Sequence, residues 1–153
     1  MCCAYVFMFF VFPVFFNSPV QRLGGASVKS IFFVIGLAIT TFALSEMVPD
    51  KELGNRVEHT FSGGFAGFLI CFLAAKDCGV KITKLRFFFY SFLIVLAWGV
   101  ANEICEFFVQ TNLGIIFSPN VNDTWWDLTS NTAGILIAVA VLMPLTNRFL
   151  KTK

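Results

Sequence analysis

Long runs without charge constrain this chain more than any other feature. Residues 1–21, 60–75 and 128–147 contain no Asp, Glu, Lys or Arg; residues 30–48 hold only Glu46, and residues 87–108 only Glu103 and Glu106 near their end. A bilayer core about 30 Å thick is crossed by about 20 apolar residues of helix. Backbone polar groups in lipid must be satisfied within the segment, so each run reads as a helix. A water-soluble fold fails on composition: with 58% hydrophobic residues, 21 of the 153 residues being Phe, too few polar side chains remain to cover an aqueous surface. The expectation is an all-α, polytopic transmembrane helical bundle of about five spans, with residues 1–27 as an N-terminal hydrophobic segment and 28–153 as a four-helix domain. The first run is the weakest, because Pro13, Asn17, Ser18 and Pro19 interrupt it. With no Lys or Arg in residues 1–5 and no small-residue cleavage site after it, this run does not read as a cleaved signal peptide.

Orientation follows from the basic residues, which are retained on the cytoplasmic side. Arg22 and Lys29 follow the first run, Lys76, Lys81, Lys84 and Arg86 the third, and Arg148, Lys151 and Lys153 close the chain. Nine of the eleven basic residues thus fall in alternate loops, leaving Lys51 and Arg56 for the other side. This predicts a multi-pass protein of a bacterial inner (cytoplasmic) membrane with its C-terminus in the cytoplasm. Topology uses up the basic residues, so no patch for nucleic acid remains. The five cysteines, Cys2, Cys3, Cys71, Cys78 and Cys105, form no C-x-x-C pair and read as small packing residues.

Acidic residues sort the opposite way. Only Asp77 is assigned to the inner face; Glu46, Asp50, Glu52, Glu58, Glu103, Glu106, Asp123 and Asp127 gather at the outer one. Asp50, Glu52 and Glu58 share a short outer loop with Lys51 and Arg56 in this reading. The others are harder to dismiss, because an ionisable group within a membrane helix is expensive unless paired or hydrated and usually faces the bundle interior. Asn102, Glu103, Glu106 and Gln110 stand three and four residues apart on one helix face; Asp123, Asp127 and Asn131 recur every four on the next helix, and His59 begins the third at the same depth. Together they predict a shared polar pocket just below the outer surface. Gly63-x-x-x-Gly67 has the small-residue spacing that lets membrane helices approach, Trp125 and Trp126 read as an interfacial belt, and Pro144 bends the end of the last helix.

These residues carry a resemblance. Glu58-His59-Thr60-Phe61-Ser62-Gly63-Gly64, Asn102-Glu103-Ile104-Cys105-Glu106-Phe107, and the run from Asp123 to Gly134 with its D-T-x-x-D-x-x-x-N-x-x-G block are similar to the VanZ-like membrane proteins, and closer to their YjdF-type relatives. The similarity spans about residues 30–147. It implies a small multi-helix inner-membrane protein whose recurring polar positions are this histidine and these acids, within a family of no agreed biochemical activity.

Several functions fit the pocket. His59, Glu103, Glu106 and Asp127 can hold a divalent cation, which would engage a lipid or envelope-precursor phosphate. The wider set of His59, Glu103, Glu106, Asp123, Asp127 and Asn131 can instead bind a lipid headgroup or envelope ligand without chemistry. A metal-dependent enzyme acting on a lipid-linked phosphate, a proton-linked transporter and a purely structural polar cluster are the other readings. Ser62 and Ser130 lack a nucleophile-elbow pattern, and no Gly-rich phosphate loop is present. Membrane lipid is the expected partner, and association of like chains is compatible with the pattern.

Overall fold

The computed structural model describes residues 28–80, 82–116 and 121–148. The first apolar run lies outside them. Within them every regular element is helical and no strand occurs, so the all-α expectation holds. Four helices are long and apolar enough to cross a membrane: α1 (Val28–Met47), α2 (Lys51–Asp77), α3 (Lys84–Leu113) and α4 (Val121–Leu142, prolonged as a 3-10 turn over Met143–Arg148).

Large apolar side chains point outward on all four helices. Phe32 on α1, Leu85 and Phe107 on α3 and Val121 on α4 are each about 70% exposed or more. In water such a surface would aggregate; in hydrocarbon it is the natural solvent contact. The buried residues are instead small or centrally placed. Ser30, Val34, Thr41 and Ser45 form the inner stripe of α1, four and seven residues apart. Phe68 of α2 meets Phe87 of α3 edge to face at 5.7 Å, and Ile135 and Ala138 of α4 join the same cluster. α2 is the most enclosed helix and touches the other three.

Helix ends follow local chemistry. Asp50 caps α2, its carboxylate accepting from Glu52 N–H at 2.9 Å and Leu53 N–H at 3.2 Å. Gly79 and Gly114 take left-handed φ angles of 61° and 68° just past α2 and α3, where a Cβ would be strained. Pro144 lacks the N–H that an α-helix needs, and the chain tightens there into the 3-10 turn.

Two expectations change. Residues 51–58 are not a loop: Lys51–Glu58 is regular α-helix, and His59 lies within α2 rather than starting it. The charged side chains hide this helix from a hydropathy reading, whereas the Asp50 cap and the Glu52–Arg56 pair, 3.6 Å apart at i,i+4, stabilise it. The second change is that α2 widens into a π-helix over His59–Phe65. The adjacent Gly63 and Gly64 ease this conformation, and the extra residue per turn shifts the phase of every side chain beyond it.

That phase shift explains how the glycines pack. A Cβ on Gly63 or Gly64 would overlap Asn131 of α4, and one on Gly134 would overlap the Thr60 carbonyl. Here α2 and α4 touch backbone to backbone. Gly67 does not continue that strip, because a Cβ there would come within 2.8 Å of Val95 on α3. The Gly63-x-x-x-Gly67 pair therefore serves two different neighbours, one glycine each.

Candidate functional site

The π-helix places His59 against the N-terminal half of α4. Its Nε2 lies 3.4 Å from Asp127 Oδ2, and the other Asp127 oxygen accepts from Asn55 Nδ2 at 2.8 Å. Asn55 precedes His59 by one helical turn, so one face of α2 grips both oxygens of a carboxylate that is only 2% exposed. Arg56, next along, stacks its guanidinium 4.2 Å over the Trp126 ring, clamping the same two helices at the surface.

From α3, Glu103 completes a trio: one ligand atom each from His59, Glu103 and Asp127 lies within 4.8 Å of the others. Glu103 is 9% exposed, and its Oε1 is buried with no hydrogen-bond partner. A buried carboxylate oxygen without a partner is expensive, roughly 1–3 kcal/mol or more. Three helices thus bring two carboxylates and an imidazole to one point with an acceptor unmet.

The donor set suits a divalent cation. Two carboxylates and a neutral imidazole cancel a 2+ charge, which matters where charge is poorly solvated. Ligands about 2.1 Å from a tetrahedral metal stand about 3.4 Å apart, the His59–Asp127 separation. The remaining separations are at most 4.8 Å.

A family model described as "Predicted membrane protein (DUF2238)" matches residues 3–148. The chain belongs to the DUF2238 family. No curated protein and no solved structure matches it. As a DUF2238 member it is a membrane protein, and its apolar helices make it a multi-pass one.

Not all six residues singled out in this DUF2238 sequence sit together. His59, Glu103 and Asp127 form the trio. Glu106 stands one turn from Glu103 but faces elsewhere, accepting from Asn102 Nδ2 at 2.6 Å beside a cavity that His59 and Asn131 also line. Asp123 stands one helical turn before Asp127 on α4 and is not a member of the trio. Asn131, 4% exposed, wedges between Gly63, Gly64 and Gly99, and its Oδ1 has no hydrogen-bond partner. Asn55 escaped the sequence reading because residues 51–58 read as a loop. A helix drawn from the Asp50 cap puts it four residues before His59, which would have exposed it. Ser62 donates to Thr41 Oγ1 at 2.6 Å, tying α1 to the π-helix.

Proposed function

We propose that this protein is a bacterial inner-membrane relative of the VanZ-like and YjdF-type proteins that binds a divalent cation through His59, Glu103 and Asp127 near the outer face. The observation that carries this reading is the convergence of those three ligand atoms within 4.8 Å, with the Glu103 oxygen buried and unpartnered. A mixed nitrogen and oxygen set favours a first-row transition ion such as Zn2+ or Mn2+ over Ca2+. Three protein ligands leave coordination positions open to water or to a phosphate oxygen of an envelope ligand. The alternating basic residues support a cytoplasmic C-terminus, which puts the trio on the periplasmic side. The shared His59-Thr60-Phe61-Ser62-Gly63-Gly64 and D-T-x-x-D-x-x-x-N-x-x-G elements support the VanZ-like kinship.

The test is metal analysis and thermal melting of purified protein before and after chelation. Parent protein is expected to carry about one equivalent of metal and to regain stability when Zn2+ or Mn2+ is restored, by roughly 2.7 kcal/mol at 100-fold over Kd. Glu103→Gln keeps volume, melts near the metal-free parent and loses the metal response. Variants that melt early yet keep the full response would instead make the trio a structural polar cluster.

A further inference from the structure

A cavity of about 420 Å³ opens on the flank of the bundle between α1 and α3, with α2 behind it. Its two ends differ. Toward the outer face it is lined by Glu58, His59, Ser62, Asn102, Glu106 and Asn131; toward the membrane interior by Ile70, Ile94 and Val95. Phe42 and Trp98, both more than half exposed on the lipid-facing surface, flank the opening. From Ile94 to Glu106 the lining runs over thirteen residues of α3, roughly 18 Å along the axis. The volume falls within the roughly 300–1,000 Å³ of ordinary ligand sites. A polar end above an apolar slot open to lipid has the shape of an amphiphile site.

The polar end selects the headgroup. Among the described residues no Lys or Arg lines it, whereas Glu58 and Glu106 do. Two of its donors are already engaged: Ser62 O–H on Thr41, and the Asn102 amide on Glu106. The donors left beside them are neutral, the second Asn102 N–H, the Asn131 amide and the His59 ring, so the two carboxylates set the sign of the lining. A carboxylate accepts several hydrogen bonds, so Glu106 has capacity left after Asn102. An ammonium supplies three donors and a positive charge to such a lining; a phosphate supplies only acceptors and a negative one. We propose that this cavity binds a membrane amphiphile bearing a primary ammonium headgroup, with its alkyl chain along Ile70, Ile94 and Val95. The site is separate from the cation trio, sharing only His59 with it.

Trp98 reports occupancy directly. With Trp125 and Trp126 replaced by Phe, it is the one remaining tryptophan of three. In phosphatidylcholine nanodiscs, whose lipids lack a primary ammonium, terminally brominated dodecylamine, dodecanol and dodecyl phosphate are titrated as quenchers. Saturable quenching by the amine is expected at about tenfold lower concentration than by the alcohol, the size of one charge-assisted hydrogen bond. Glu106→Gln is expected to abolish that preference, and Glu58→Gln, on another helix, to reduce it, with melting temperatures checked for each. Equal quenching by amine and alcohol, or stronger quenching by the phosphate, would overturn the proposal. So would displacement of the amine by free ethanolamine at similar concentration, because the chain would then contribute nothing. Repeating the series after chelation separates this site from the cation trio: a preference that survives supports the cavity, and one that vanishes with the metal overturns it.

Discussion

Gly134→Ala tests the contact on which both sites depend. Its new Cβ would lie 2.7 Å from Phe65 N and 2.9 Å from Thr60 C, and closer still to the Thr60 carbonyl oxygen. The Phe65 contact alone is roughly 0.7 Å short of the 3.4 Å at which ordinary contact begins. All three obstacles are backbone atoms, so no rotamer change relieves them. α4 must move off α2, and a gap of 0.5–1 Å forfeits about a quarter to a half of each dispersion contact along the strip. With no hydrophobic force to hold helices together in lipid, that packing is most of the association energy. A loss of about 3 kcal/mol is expected, at the upper end of overpacking effects and beyond the roughly 1 kcal/mol that Ala gains in helix propensity. Gly36→Ala is the control, because a Cβ there meets nothing within 4 Å. Reversible unfolding in mixed micelles measures both. If Gly134→Ala unfolds within about 0.5 kcal/mol of Gly36→Ala, close α2–α4 contact does not hold this bundle together, and the reasoning fails.

Other outcomes follow from single features. Burial, and then the neighbouring Asp77 carboxylate, push the Cys78 thiol up to about 11. A raised thiol pKa means less thiolate at any lower pH, so iodoacetamide should alkylate a variant with Cys78 as its one cysteine about tenfold faster per pH unit from 8 to 10; a plateau near pH 9 would contradict this. Reporter fusions after Lys84 and Lys153 should report cytoplasm, and those after Glu52 and Asn120 the exterior; a cytoplasmic signal at Glu52 or Asn120 would invert the proposed placement of both sites.

Much of the candidate site could be read from spacing. Asp127 and Asn131, four residues apart, do share the face that meets α2, and His59 of α2 does reach Asp127. The reading failed where a side chain's direction depended on a neighbour. Glu103 and Glu106 look equivalent at i,i+3, yet one enters the trio and the other the cavity, because that face of α3 is shared between α4 on one side and the α1-facing opening on the other. Asn55 was lost with its helix, since the charged first turns of α2 have the hydropathy of a loop.

Sequence alone determined that the described chain forms helices, how many are long enough to span, and which residues are too polar to face lipid. Each of these is a local demand: hydrocarbon offers no hydrogen bonds, so every segment must satisfy its own backbone and shelter its own charges. Tertiary structure decided which sheltered groups meet. The π-helix at His59–Phe65 rotates α2, the glycines let α4 close on it, and only that approach sets Asp127 between Asn55 and His59. These are contacts between distant residues whose geometry depends on sub-ångström packing, and a one-dimensional pattern of polarity does not encode it.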